Sequence, residues 1–347
     1  MQQNRMPRKV TMAFCVYNIG YGLFFLIVAI AHLSMFFHIE NFEDCDETTW
    51  KGCEIKIPFC KSLFTPTCNC ASLRIENDYK LVALPDSLVD EMTGLRKVFI
   101  RNCNLTTLPP RMEQLTEMVD FEISFNRLEE FMVDVGKWEK LNKLHLMYNN
   151  ITKYNEHALW RHQNVAGVDI RDNVGLNMPE ANVKINMPSL QYIHLGNNSR
   201  SIQAARFNSA SFPVIIYLYL NGNELLSFPD ESLKDSLVYL GMARCRLNSL
   251  PVYLSRFYSL EYLDVRDNNI SMVDTNIKKL IHDKKIESYF AGNSVCNRDT
   301  ELDCTPLCSK YCWSRTESSN GRCAATCNSE QCEYDGGDGR MKDVTCS

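Results

Sequence analysis

The stretch LRKVFIRNCNLTTLP, residues 95–109, decides the fold because its pattern recurs along the chain. Apolar residues stand at its first, fourth, sixth and eleventh positions, and a Cys or Asn stands at the ninth. Eight copies, with ninth positions 22 to 25 residues apart, occupy the middle of the 347-residue chain. Their ninth positions, here called ladder positions, are Cys103, Asn126, Asn149, Asn173, Asn198, Asn223, Cys245 and Asn268. A repeat of this period predicts a solenoid in which each turn contributes one strand to a shared core.

The pattern resembles LxxLxLxxNxL, the signature of the leucine-rich-repeat family. The resemblance implies an α/β-type solenoid, a horseshoe with a parallel sheet on its concave face, over residues 73–295. A degenerate repeat near Leu73 and a last one ending at Asn293 extend the eight clear copies. Ladder asparagines are expected to satisfy backbone groups of neighbouring turns, while Cys103 and Cys245 are expected to be small buried thiols.

Thirteen of the sixteen cysteines lie in two clusters that border the repeats. The second cluster runs from Cys296 to Cys346, and the first contains Cys45, Cys53, Cys60, Cys68 and Cys70. Clusters at both ends of a solenoid predict disulfide-rich caps in an oxidising compartment, over residues 38–72 and 296–347. Because five is an odd number, one cysteine of the first cluster is either free or bonded to another chain, and the pairing there stays open.

The N-terminal segment, residues 10–37, contains no Asp, Glu, Lys or Arg. As a helix it is long enough to cross a hydrocarbon core of about 30 Å. Basic residues precede it and acidic residues follow it, which predicts that residues 1–9 are cytoplasmic and that the chain after residue 38 lies outside. This favours an uncleaved signal anchor and a single-pass type II membrane protein. The A-x-A site Ala29-Ile30-Ala31 keeps open a cleaved signal peptide and a secreted protein.

N-x-S/T acceptors for N-linked glycans agree with an extracellular location. Each lies at or beside the turn that follows a predicted strand, where a glycan could point to solvent. The four acceptors are Asn104, Asn150, Asn197 and Asn269.

The exposed face of the predicted sheet is the expected ligand-binding surface, because function in such a fold lies in its surface columns. One column reads Tyr192, Tyr217, Tyr239 and Tyr262 in four successive repeats. Tyrosine offers a large contact area with few rotamers to restrict, as binding surfaces favour. Cross-strand packing of the rings is an equally good interpretation, and the two are compatible.

A second column of this face alternates acids and histidines before it reaches Tyr219. Its expected ligand-binding members are His145, Asp169, His194 and Tyr219, with Glu122 beside them. Three interpretations stay open for the acid–histidine alternation: charge pairing between neighbours, a metal site, and a contact patch whose charge depends on pH.

The chain ends in a second motif, where CAATCNSEQCEYDGGD at residues 323–338 follows Cys308 and Cys312. The cysteine spacing and the DGGD sequence resemble the Notch-type repeat, a small extracellular module with three disulfides around one calcium ion. The module would occupy about residues 304–346. The resemblance implies that Asn320, Asp335 and Asp338 bind calcium, a cation that prefers several hard oxygen ligands.

The module departs from the family at Gly339, where the sixth cysteine is expected directly after DGGD. The next cysteine is Cys346, so its disulfide would close a longer loop, and it stays open whether calcium binding survives. The implied disulfides are Cys308–Cys332, Cys312–Cys327 and Cys323–Cys346, which leave Cys296–Cys304 as a pair closing the solenoid.

Together these features predict an extracellular recognition protein that binds a protein or peptide ligand on its concave face. A net charge of −5 gives no reason to expect a nucleic-acid partner. The chain contains none of the common phosphate-loop, metalloprotease or serine-hydrolase motifs, so we expect no enzyme. Alternatives are an adhesion or matrix-type scaffold and a glycan-binding effector. A cytoplasmic segment of residues 1–9 is too short to signal alone, so a receptor would need a co-receptor.

Overall fold

The computed structural model describes residues 53–62, 65–198 and 202–304, with side chains from residue 71 onward. The predicted membrane segment, the cysteine side chains of the N-terminal cap, and the calcium ligands and three disulfides of the Notch-type module lie outside this part. Within it, no helix is long and apolar enough to cross a membrane. The chain forms two compact units: the first reaches Ser199 and includes Ser209–Ile215, and the second contains Arg200–Asn208 and continues from Ile216.

The first unit is built on one sheet of mostly parallel strands. Its order is β1 (Cys53–Ser62), β2 (Thr65–Glu76), β3 (Lys97–Arg101), β4 (Asp120–Ser124), β6 (Lys143–His145), β8 (Gly167–Asp169) and β9 (Tyr192–His194). Strands β5 (Glu130–Phe131) and β7 (Lys153–Tyr154) form a separate parallel pair. The sequence predicts a parallel sheet, but β1 pairs antiparallel with β2 and forms a hairpin at the start. From β2 onward the pairing is parallel.

Short helical turns return the chain of the first unit from one strand to the next. They are α1 (Leu88–Glu91), α2 (Glu156–Leu159) and the 3₁₀ helices Met112–Gln114 and Val135–Lys137. Asn155 caps α2 by accepting a hydrogen bond from the Ala158 N–H at 3.2 Å. Trp138, which follows the second 3₁₀ helix, is buried with its ring 5.0 Å from that of Phe121 in β4. The returning segments thus cover the inner side of the sheet.

The second unit repeats this construction. Its parallel sheet contains β11 (Tyr217–Tyr219), β13 (Tyr239–Gly241), β14 (Tyr262–Asp264) and β15 (Glu287–Tyr289), and β10 (Ile202–Gln203) pairs with β12 (Leu225–Ser227). Its helices are α3 (Thr275–Lys284) and the 3₁₀ helices Ala204–Arg206, Glu231–Leu233, Val252–Arg256 and Ser294–Asn297. The α/β solenoid predicted from the repeat is therefore observed in each unit.

The ladder positions hold neighbouring repeats together through side-chain amides. Asn126 accepts a hydrogen bond from the Leu105 N–H of the preceding repeat at 3.1 Å. Its Nδ2 donates to the carbonyl oxygens of Ile100 and Ser124 at 3.0 and 2.8 Å. Asn293 makes the equivalent bonds, accepting from Ile270 at 3.0 Å. Each amide thereby satisfies buried backbone groups that the turn leaves without a strand partner.

The two ladder cysteines are free and buried, as the sequence predicts. Each thiol donates to a backbone carbonyl, from Cys103 to Arg101 at 3.3 Å and from Cys245 to Leu220 at 3.3 Å. Burial raises the pKa of the Cys245 thiol to about 12, so it stays protonated. Near the end of the described chain, Cys296 and Cys304 form a disulfide with a Cα–Cα distance of 5.7 Å.

Candidate recognition surface

The tyrosines of the second unit form a stacked column on the strand face. The register of the parallel strands places Tyr217, Tyr239 and Tyr262 side by side. The first two rings lie 4.5 Å apart and nearly parallel, at 22°, and the next pair lies 5.6 Å apart at 28°. Tyr217 and Tyr239 are half-buried. The column therefore stabilises the sheet by ring packing and still presents ring edges to solvent.

Tyr262 was expected on the exposed ligand-binding face, but it is only 5% exposed. Its ring lies between Tyr239 and Tyr289, whose centroid is 5.6 Å away. Sequence reasoning missed Tyr289, which belongs to the last strand, β15. The signal was present: Tyr289 stands four residues before the ladder residue Asn293, the same offset that places Tyr219 before Asn223.

Glycines lie beside two of the tyrosine rings. At Gly241 a Cβ would lie 2.7 Å from Cδ1 of Tyr219, which is closer than atoms can pack. In the first unit, a Cβ at Gly167 would lie 3.9 Å from Cδ1 of Tyr192, an ordinary contact. Tyr192 is half-buried, and its hydroxyl donates to Asp169 at 3.4 Å. Only Gly241 is therefore required by the ring beside it.

Charged groups on the first unit's face are bonded to one another. Both carboxylate oxygens of Glu122 accept hydrogen bonds from Arg101 at 2.6 Å, and Ser124 donates at 2.7 Å. Burial would raise the pKa of Glu122, but hydrogen bonds from His145, Arg101 and Ser124 outweigh it and lower the pKa to about 2. Glu122 is therefore ionised at neutral pH and neutralised by its neighbours. Of the three interpretations of this column, the geometry here favours charge pairing.

Asp169 and His194 were expected at the surface, and that expectation is wrong. They are 4% and 6% exposed. Arg171 lies against Asp169 at 3.6 Å, and Tyr192 covers it from the next strand. Burial raises the pKa of Asp169. Burial, followed by the nearby charge of Arg171, lowers the pKa of His194 well below its ordinary value. A neutral His194 does not act as the charged imidazole of a pH-sensitive patch.

Half-buried His145 is the remaining member of this column. Its Nδ1 lies 3.9 Å from Glu122 Oε2. Among residues 71–198 and 202–304, no group of three or more His, Cys, Asp or Glu side chains is arranged to hold a metal ion. The column thus provides no metal centre within that part of the chain.

Acidic groups flank the tyrosine column of the second unit. Glu287 lies opposite Tyr262 in the register of β14 and β15, and it accepts a hydrogen bond from the Tyr289 hydroxyl. Glu261 directly precedes Tyr262, and both glutamates are exposed. Asp264 is different, because it is buried and paired with Arg266 through contacts of 2.8 and 2.6 Å. The exposed acids lie at the Tyr262 end of the column.

An aromatic pair at the edge of the first unit was also missed. Phe125 and Tyr148 directly precede ladder asparagines and have φ values of 53° and 54°. Asn, Asp or Gly usually adopts such left-handed backbone, and bulky residues do so at greater cost. The two rings stack 4.3 Å apart, and the Arg171 guanidinium lies 5.7 Å from the Tyr148 ring centre. The stack partly offsets the backbone strain.

The glycan acceptors divide into two groups. Asn150 and Asn269 are exposed. By contrast, Nδ2 of Asn104 donates to the Tyr79 carbonyl at 2.6 Å, and Nδ2 of Asn197 donates to an aspartate at 2.9 Å. Nδ2 is the atom that would carry a glycan. The structure therefore favours Asn150 and Asn269 as glycan acceptors over Asn104 and Asn197.

Comparison with known proteins finds matches both for the C-terminal module and for a longer part of the chain. A family model described as the Notch LNR domain matches residues 302–339. Lumican from Bos taurus is 24% identical over 215 residues, which cover 59% of this chain and 60% of lumican, and lumican from Rattus norvegicus matches equally. The chain therefore spans less than two thirds of these curated relatives.

Comparison with solved structures gives matches at low sequence identity. A chain of the Toll–Spatzle complex from Drosophila is 16% identical, with a TM-score of 0.51 over 65% of this chain and 30% of that one. InlJ from Listeria monocytogenes is 15% identical, with a TM-score of 0.49 over 65% of this chain and 49% of InlJ. The repeat solenoid, the similarity to lumican and the match to the Notch LNR domain together support an extracellular leucine-rich-repeat protein with a C-terminal LNR module.

Proposed function

We propose that this protein recognises a protein partner through its strand faces, with the stacked tyrosines of the second unit as the main contact. The observation that carries the proposal is the column of Tyr217 and Tyr239, half-buried and stacked at 4.5 Å. Rings held in this way present contact area without a large entropy loss on binding.

A paired-variant binding experiment tests the proposal. Wild-type protein, the double variant Tyr217→Ala/Tyr239→Ala and the control Tyr258→Ala would each be used to capture partners from extracellular fluid or cell surfaces. Tyr258 is suitable because it is 59% exposed and lies in a loop outside the strands. We expect one saturable protein partner that the control retains and the double variant loses. Retention by the double variant would refute the proposal.

A glycan ligand is the second candidate, and the same samples discriminate it. If soluble oligosaccharides compete for binding and the protein partner loses its affinity after deglycosylation, the tyrosine column binds sugar. If neither tyrosine substitution nor sugar changes binding, the adhesion or matrix-type scaffold is the better description.

We further propose a structural calcium ion in the LNR module, bound by Asn320, Asp335 and Asp338. Calorimetric titration of the oxidised protein with calcium tests it, beside the variant Asp335→Ala. One stoichiometric site that the variant lacks would support the proposal. Absence of binding in the wild type would mean that the departure at Gly339 removes the site.

Anchoring by residues 10–37 stays a proposal, with secretion as the alternative. Mass spectrometry of the N-terminus of the mature protein separates the two. An intact N-terminus in the membrane fraction supports the anchor, whereas a new N-terminus close to Ala31 supports cleavage. If residues 10–37 anchor the protein, a partner in the same membrane would act as its co-receptor.

A further inference from the structure

The outward strand positions of the second unit contain aromatic and acidic residues but no basic ones. The eight positions of β11, β13, β14 and β15 that face outward contain five tyrosines, two acids, one glycine and neither Lys nor Arg. They are Tyr217, Tyr219, Tyr239, Gly241, Tyr262, Asp264, Glu287 and Tyr289. By contrast, the corresponding face of the first unit includes Lys97 and Lys143. Since Asp264 is buried and paired with Arg266, the exposed negative charge among these eight positions is that of Glu287.

The column itself ends on a carboxylate. Glu287 follows Tyr262 in the strand register, in the place that a further tyrosine of the column would take. Glu261 adds a second exposed carboxylate directly before β14, the neighbouring strand. Burial first, then Tyr217 and the negative charges of Glu261 and Glu287, raise the pKa of Tyr239. Both carboxylates thus act electrostatically on the centre of the column.

The protein already binds one guanidinium in such surroundings. The Arg266 guanidinium lies 5.2 Å from the Tyr289 ring centre and forms two hydrogen bonds to Asp264, at 2.8 and 2.6 Å. This internal site is buried and fully used by Arg266, which is 2% exposed. It shows that tyrosine faces and a carboxylate from this sheet accommodate a planar cation, as cation–π attraction and charge-assisted hydrogen bonding predict.

We infer that the partner contacts this column with a cationic extended segment, placing Arg or Lys side chains against the tyrosines and towards Glu261 and Glu287. The inference rests on the proposed function and adds the chemistry of the ligand. Charge complementarity favours this occupant, since an acidic or sulfated ligand would meet the exposed carboxylates of Glu287 and Glu261, and the eight strand positions include no Lys or Arg. Backbone extension follows from the surface, because the strands present the rings in a line.

Fluorescence anisotropy with the full oxidised chain tests this inference. The probe is a labelled nine-residue peptide with arginine at every second position, so that an extended backbone places all the arginines on one face. Its matched control carries citrulline, which keeps the shape and removes the charge. We expect the arginine peptide to bind at least about tenfold more tightly at 50 mM salt, with the difference shrinking at 300 mM salt.

Variants locate the site. Tyr239→Ala is expected to weaken the arginine peptide by about 5-fold to 30-fold. Glu261→Gln/Glu287→Gln, two exposed isosteric changes that should not disturb folding, are expected to weaken it about 3-fold to 10-fold. The control Tyr258→Ala should leave binding unchanged.

Equal binding of the two peptides, no binding of either, or unchanged affinity in the glutamine double variant overturns the inference. If the captured protein partner still depends on Tyr217 and Tyr239 after such a result, the proposed function stands and only the cationic ligand is removed. If that dependence also fails, the proposed function falls with it.

Discussion

Removing one ladder amide tests whether the ladder holds the repeats together. Asn173 is fully buried, and its Oδ1 accepts from the Ile151 N–H at 3.1 Å. Its Nδ2 donates to the carbonyl oxygens of Leu146, Ile170 and Arg171 at 2.9, 3.0 and 3.2 Å. The variant Asn173→Ala removes all four bonds without adding a charge.

The loss of stability in Asn173→Ala depends on which buried backbone groups lose their last hydrogen-bond partner. The Leu146 carbonyl also accepts from Asn149 at 3.0 Å, and the Ile170 carbonyl also accepts from Asn198 at 2.9 Å. The Arg171 carbonyl keeps a bond from a backbone N–H at 3.1 Å. Only the buried Ile151 N–H is left without its acceptor, at about 1–3 kcal/mol. With the small cavity included, we expect Asn173→Ala to lower the free energy of unfolding by about 2–4 kcal/mol.

Urea unfolding followed by circular dichroism measures this change. The transition midpoint should fall while its slope stays constant, which would show that stability rather than the extent of unfolding has changed. Exposed Asn150 provides the matched control, and Asn150→Ala should change stability by less than about 0.5 kcal/mol. A loss below about 0.5 kcal/mol in Asn173→Ala would refute the reasoning that an orphaned buried N–H sets the cost.

Three further predictions concern groups in contrasting surroundings. The pKa of Glu122 is lowered from 4.5 to about 2, so its contribution of about 3 kcal/mol is present above pH 4.5 and is lost as pH falls towards 2. Glu122→Gln should flatten this part of the stability curve measured by urea unfolding, and an unaltered acid limb would contradict the assignment. Glycopeptide mass spectrometry should find N-glycans on the exposed Asn150 and Asn269 but not on Asn104, whose Nδ2 already donates to a backbone carbonyl at 2.6 Å; equal occupancy at all three would show that this bond does not matter. The Cys245 thiol, with its pKa raised to about 12, should resist iodoacetamide at pH 8 until the protein is unfolded, and fast labelling of the native protein would reveal local opening there.

The repeat made the strands and the ladder predictable from sequence. Apolar side chains at the fourth and sixth positions of each copy must face the core, so the strand and its register follow from the pattern alone. Val98 and Ile100 of β3 illustrate this, since both are 0% exposed. The antiparallel hairpin of β1 and β2 was not predictable in this way, because β1 contains no copy of the repeat.

The solvent exposure of the outward-facing side chains was harder to predict than the strands. Alternation along a strand shows which side chains leave the core but not whether neighbours then cover them. Asp169 is buried because Arg171 and Tyr192 lie against its carboxylate. His194 is buried as well, and its Nδ1 accepts a hydrogen bond from the Gly196 N–H at 3.1 Å. The missed ring of Tyr289 has another cause, since the last repeat matches the consensus poorly and was assigned only by its ladder residue.

The contrast between the two strand faces indicates how each contributes to recognition. In the first unit Glu122 is neutralised by Arg101, and Lys97 lies 3.4 Å from Asp120, so their charges largely cancel for any approaching partner. Substitutions there should act through local structure, with weak dependence on salt. In the second unit Glu261 and Glu287 are exposed beside the rings. Their field extends about 10 Å at 0.1 M salt, so that face should determine both the charge of the partner and the salt dependence of its association.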